Sequence, residues 1–169
     1  MTNKTINFTE KKTPTWQLAI LGIIFIGGGL IAPMFQMLQG SEHAKKWNAY
    51  VMTVQPLFAQ QDDMLNRMVA EKNGSKLPAF LLEAQDLTQK IKAIDGENEE
   101  LDHIHNAMEK RAELLQEALE KLNTAKDPNS PETQKEIQHI LIEAKKMIDE
   151  FKGRRDHYAK KYNFQVVDN

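Results

Sequence analysis

From Trp16 to Leu38 the chain runs 23 residues without a charged side chain, WQLAILGIIFIGGGLIAPMFQML. As a helix rising about 1.5 Å per residue, this run measures roughly 34 Å, enough to cross a hydrocarbon core with slight tilt. Its eleven Leu, Ile and Phe residues each favour insertion by about 0.3–0.6 kcal/mol, which outweighs the small penalties at Gln17 and Gln36. The rival reading is a cleaved signal peptide, whose apolar core is about 7–15 residues long and ends at a small-x-small site. This run is longer and no Ala-x-Ala follows it. An uncleaved signal anchor is therefore expected.

Lys4, Lys11 and Lys12 precede the run and Lys45 and Lys46 follow it, the nearer pair lying on the N-terminal side. Lys and Arg flanking a span favour the cytoplasmic face. The expected topology puts the N-terminus in the cytoplasm and the rest of the chain outside, in the periplasm if the source is a Gram-negative bacterium. Within the run, Gly22 and Gly29 are seven apart, with Phe25 and Ala32 between and beyond them on the same face. Small residues on one face let another membrane helix approach closely, so these four form a candidate transmembrane contact face.

The remainder has a different character. Setting aside Lys4, Glu10, Lys11 and Lys12 leaves 19 basic and 23 acidic residues, a net charge of −4. A surface of that sign is a poor match for phosphates, which disfavours nucleic acid as a partner. The absence of cysteine excludes disulfides, a thiolate nucleophile, a lipoprotein anchor and Cys-ligated metal.

Four helical segments follow from the apolar spacing. The first runs from Glu42 to about Lys72 behind Ser41, with Trp47, Val51, Val54, Phe58, Leu65 and Met68 as its stripe; Pro56 should kink or split it. Asn73-Gly74-Ser75 marks a turn, and the second segment, with Pro78 in its first turn, carries Leu81, Ala84, Leu87, Ile91 and Ile94. Asp95-Gly96 breaks the chain before a third segment from about Glu97 to Lys126, striped by Leu101, Ile104, Met108, Leu115, Leu119 and Leu122. Ser130 as N-cap and Pro131 at the first helical position open the last. It presents Ile137, Leu141, Ala144, Ile148 and Phe151 and continues past Gly153 to Tyr158 and Tyr162.

The expected fold class is all-α: one N-terminal transmembrane helix plus an antiparallel bundle of three to four helices. The expected organisation is a tail over 1–15, the span over 16–38, the bundle over 41–162 and a tail over 163–169. A long coiled coil is the nearest competitor, but Pro56, Gly74, Gly96 and Pro128 interrupt the chain at intervals suited to folding back. Residues 95–120 hold nine acidic against two basic groups and residues 145–161 seven basic against three acidic. An antiparallel hairpin of the last two helices sets these side by side.

The residues offer little chemistry. Glu99, Glu100, Asp102, His103, His105 and Glu109 are the one dense group of metal-ligand types. His105 and Glu109, four apart, share a helix face, whereas His103 points about 200° from His105. An acidic first turn that complements the helix dipole explains the group without a metal. No His-Glu-x-x-His, Gly-x-Ser-x-Gly or phosphate loop is present. Met52, Met64, Met68, Met108 and Met147 recur where core residues are expected, so packing accounts for them better than a haem or copper site. No catalytic, cofactor or metal residues are assigned. Lys152, Arg154, Arg155, Tyr158, Lys160, Lys161 and Tyr162 form a basic and aromatic surface able to meet an acidic protein or lipid head groups.

The function expected from these features is non-enzymatic: a single-pass, membrane-anchored helical bundle acting as an accessory, scaffold or interaction subunit of a membrane or envelope complex. Its partners would be the membrane and either another membrane or envelope protein or its own copy. The alternative is an extracytoplasmic sensor whose bundle takes up a small molecule or metal.

Overall fold

The structure, a computed structural model, describes residues 42–71 and 74–166. The expected span over 16–38 and its face of Gly22, Phe25, Gly29 and Ala32 lie outside the described residues. So does Ser41, the expected cap of the first helix. Among the described residues no helix is long and apolar enough to cross a membrane.

Those residues form four helices and no strand: α1 (Glu42–Ala70), α2 (Leu77–Lys92), α3 (Glu99–Thr124) and α4 (Pro131–Lys161). The chain's own stop signals set most of the ends. Asn98 caps α3, its side-chain oxygen accepting from the backbone N–H groups of Glu100 and Leu101 at 3.1 and 3.0 Å. Two residues earlier, the Gly96 N–H donates to Asp102 Oδ1 at 2.7 Å, and a Cβ at Gly96 would lie 2.5 Å from the Asp102 nitrogen. This close approach is why the break before α3 needs glycine. Ser130 caps α4 with Pro131 in its first turn, as the sequence predicts.

α4 ends at a Schellman turn. Asn163 takes φ +53°, the Phe164 N–H reaches the Ala159 carbonyl at 3.0 Å, and the Asn163 N–H reaches Lys160 O at 3.3 Å. The left-handed residue closes the helix and folds Phe164 back onto it. The tail therefore still packs: Phe164 and Val166 lie against the core.

Pro56 does not split α1, which is continuous from Glu42 to Ala70. It stands on the exposed side, where the Met52 carbonyl that loses its donor can turn to water instead. The stripe on α1 also differs from the expectation by one residue. Tyr50 is buried at 4% exposure and Val51 is only half-buried, while Met52, expected in the core, is 60% exposed. Trp47, Tyr50, Val54, Phe58, Gln61, Leu65 and Met68 keep a strict three-four spacing, which leaves Met52 on the opposite side.

The core forms two clusters. One joins Met64, Leu65 and Met68 of α1 to Leu77, Phe80 and Ala84 of α2, Leu115, Leu119 and Leu122 of α3, and Ile137 and Leu141 of α4. The other joins Trp47, Tyr50 and Val54 to Ile91, to Leu101, Ile104 and Met108, and to Ile148, Phe151 and Tyr158. The end of α1 thus meets the start of α2, the end of α3 and the start of α4. This is the alternation of an antiparallel up-and-down bundle. Each fully buried Leu, Ile, Phe or Met contributes about 1.5–3 kcal/mol of transfer free energy, so these stripes dominate the stability.

Candidate functional site

The start of α1, where the chain arrives from the N-terminal segment, shares one end of the bundle with the start of α3 and the end of α4. His43 on α1 stacks on Tyr162, ring centroids 3.4 Å apart and planes within 10°. Its Nδ1 lies 3.3 Å from the Tyr158 hydroxyl. The Tyr162 hydroxyl donates to Glu100 Oε2 and the Lys161 ammonium donates to Glu100 Oε1 at 2.6 Å. These two bonds, Lys161 first, hold the Glu100 carboxyl below the usual range. The acidic start of α3 and the basic end of α4 therefore meet as the charge pattern predicts.

Between these two helix ends runs a groove of about 440 Å³, with Glu99, Glu100 and His103 on the α3 side and Gly153, Arg154 and His157 on the α4 side. Arg154 crosses it, donating to the His103 carbonyl at 2.6 Å and to Glu150 at 2.7 Å. Gly153 leaves open space: a Cβ built there meets nothing within 4 Å.

The seven basic and aromatic residues singled out from sequence divide by position. Arg154, Arg155 and Lys161 are held in ion pairs with Glu150, Asp156 and Glu100. Tyr158 is buried at 2% exposure, where burial raises its pKa, and Tyr162 is engaged by His43 and Glu100. Of the five cations in this group, Lys152 and Lys160 form no such ion pair among the described residues. The cluster is thus mainly the clasp that joins α4 to α3 and α1.

Deeper in the same end lies a group that sequence reading missed. The His105 Nε2 is 2.8 Å from the Ile91 carbonyl, which can only accept, so this nitrogen carries a hydrogen. In the neutral ring, Nδ1 then accepts from the Tyr50 hydroxyl at 3.0 Å. Burial, reinforced by Glu109 and Asp102, raises the Tyr50 pKa and keeps that hydroxyl a donor. Both ring nitrogens are committed, so His105 has no lone pair to give a metal while these bonds stand, although Glu109 is 3.7 Å away. His103 is exposed on the other side of α3, in the groove. Among the described residues no three His, Cys, Asp or Glu side chains converge as a metal site would require.

A polar layer separates the two core clusters. Arg111, 1% exposed, donates to Gln61 Oε1 and, at 2.9 Å, to Asp62 Oδ1. Its Nε is buried without a partner among the described residues. Thr88 completes the layer, donating to the Ala84 carbonyl at 2.8 Å with the Ala112 carbonyl at 3.3 Å. The signal for Arg111 was present in the spacing: it sits three residues after Met108 and four before Leu115, on the buried stripe. Comparison of the chain with known protein families, with curated proteins and with solved structures finds no match.

Proposed function

We propose that this protein is a single-pass membrane protein whose helical bundle serves as a non-enzymatic interaction subunit in a membrane or envelope complex. The observation that carries this reading is the 23-residue charge-free run, which ends three residues before α1 begins. On this reading, the end of the bundle holding His43, Tyr162 and Glu100 faces the membrane surface and the loop at Lys126 points away from it. The clasp supports the geometry: it ties the first turn of α1 to both α3 and α4, so the start of α1 is held within the bundle. The N-terminus lies in the cytoplasm and the bundle outside.

The test is a cysteine placed at exposed Lys126 in the full-length chain, which has no other cysteine. An impermeant thiol reagent should label it on intact cells, and the chain should stay in the membrane through alkaline carbonate washing. Release by carbonate would sink the anchor, and labelling only after lysis would reverse the topology. The groove beside Gly153 favours a second reading, a sensor that binds a small polar ligand between α3 and α4. A ligand that fits it should raise the melting temperature of the native chain and lose that effect in Gly153→Leu.

A further inference from the structure

The outward face of α1 differs from every other helix surface of the bundle. From Trp47 to Gln61 no residue is charged, in a chain with 27% charged residues. The other helices carry ion pairs along their outer faces: Lys90 with Asp86 on α2, Lys110 with Glu113 on α3, Lys146 with Glu143 on α4. On α1 the pairs Lys46–Glu42 and Arg67–Asp63 stand only at the two ends. Between them Ala49, Met52, Pro56 and Ala59 are all exposed, Met52 to 60%. Their spacing of three, four and three is that of the a and d positions of a coiled-coil seam. The flanking Asn48, Thr53 and Gln60 are exposed and uncharged.

We infer that this face is a parallel two-fold seam that docks a second copy of the same chain. The inference rests on the anchored reading above, because two copies that both enter α1 from the membrane must lie parallel. In a parallel pair each seam residue meets its own counterpart, so the face has to tolerate itself. A face with one sign of charge repels its copy, and this one has none. At the flanking g and e positions, Asn48 of one copy faces Thr53 of the other, a pairing of two uncharged polar side chains. The apolar run 16–38 is a poorer occupant: folded back here, its Leu, Ile and Phe side chains would cover the exposed amides of Asn48 and Gln60 and offer them no hydrogen-bond partner.

The size of the seam sets the conditions under which it closes. Ala49 to Ala59 covers about 15 Å of helix, short of the three to four heptads that sustain a free coiled coil. Held in one membrane by anchors three residues from α1, two copies meet at a high effective concentration, which supplies what the contact area lacks.

The test uses single cysteines in the full-length chain in its native membrane: Met52→Cys and Ala59→Cys on the seam, with Leu82→Cys and Ile142→Cys as exposed controls on α2 and α4. After copper-phenanthroline oxidation, the seam positions should form disulfide dimers several-fold more than the controls. Adding Ala49→Glu to the Met52→Cys chain should cut the yield several-fold, and Ala49→Gln should not. Equal yields at all four positions overturn the seam, as does absence of dimer at both seam positions. A benzophenone side chain at position 52 should give adducts of twice the chain mass; an adduct to a different protein, or an internal link to residues 16–38, also overturns it. Carbonate washing of the same membranes separates the two readings. A chain washed free that still forms the seam dimer refutes the anchor and keeps the seam, whereas a retained chain without the dimer refutes the seam and keeps the anchor.

Discussion

The half of the bundle built on Leu115, Leu119 and Leu122 is aliphatic apart from Phe80. The half built on Trp47, Phe151 and Tyr158 adds Tyr50 and Phe58, encloses His105, and is flanked by His43, Tyr162 and Phe164. Aliphatic packing is tolerant of direction and contributes mainly transfer free energy. Aromatic rings and buried polar groups impose geometry: Trp47 lies 6.4 Å from Phe151 and 6.3 Å from Tyr158, and His105 tolerates only partners placed on both its nitrogens. The oriented half is the one next to the N-terminal segment, and the Arg111–Gln61–Asp62 layer divides it from the half that only packs. Both ends of the four helices thus contribute packing, and only the end nearer the N-terminal segment also fixes direction.

The comparison breaks most easily in the cores. Phe151→Ala, at a site with no exposure, should cost about 3–5 kcal/mol, and Leu119→Ala in the aliphatic half about 2–4 kcal/mol. Urea midpoints of both variants decide the order. A larger loss at Leu119 would mean that the aliphatic half carries the greater load per residue.

The dividing layer gives the next effect. Asp62→Ala leaves a guanidinium at 1% exposure with Gln61 alone, and should cost about 3 kcal/mol. Arg111→Met leaves Asp62, whose side chain is 23% exposed and can reach water, but orphans the Oε1 of Gln61 at 1% exposure, so it should cost about 1–2 kcal/mol, less than Asp62→Ala. The reverse order would show that the layer is held by Arg111 packing rather than by charge compensation.

Much of this was legible in the chain because helix stripes and helix ends write themselves locally. The α3 and α4 stripes, the Ser130–Pro131 start and the meeting of acidic and basic helix ends all follow from spacing and charge. The failures share one cause. Tyr50, Gln61 and Arg111 lie at core spacing, yet their polar ends find partners only across the bundle, on His105, Arg111 and Asp62. Residue type argued them outward and tertiary pairing drew them in. Met52 fails in the other direction: an apolar side chain was assigned to the core although its register placed it outside. The pairing within the basic end of α4 was not legible for the same reason, since Lys161 and Arg154 meet Glu100 and the His103 carbonyl only across the bundle.

The interior of the oriented half offers a smaller effect. Tyr50→Phe removes only the hydroxyl, leaving His105 Nδ1 buried without its donor. The cost should be about 1–2 kcal/mol, with the fold retained. Replacing His105 by Leu in the same background should recover part of that loss, because the orphaned nitrogen goes with it. If the second change adds to the damage instead, packing of the ring rather than its hydrogen bonds is what this end depends on.

The smallest effect lies on the clasp and separates the two halves by pH. The Glu100 carboxyl is held below its ordinary value by Lys161 and then Tyr162, so the ionised form binds better in the folded chain. Its stabilisation is present above the unfolded value of about 4.3 and disappears as the pH falls through the lower folded one. The side chain is 39% exposed, and screening leaves only a few tenths of a kcal/mol. Glu100→Gln keeps an acceptor for the Tyr162 hydroxyl and removes the charge. Its urea midpoint should therefore fall slightly below that of the native chain at pH 7, approach it as the pH falls below the usual carboxylate range, and converge with it at pH 7 in about 1 M salt. Leu119→Ala, which removes no charged group, should keep the same deficit at pH 7 and in acid. A Glu100→Gln deficit that persists unchanged in acid would mean that the clasp is held by the stacking of Tyr162 on His43, and that the charge pattern of the last two helices guides their pairing without stabilising it.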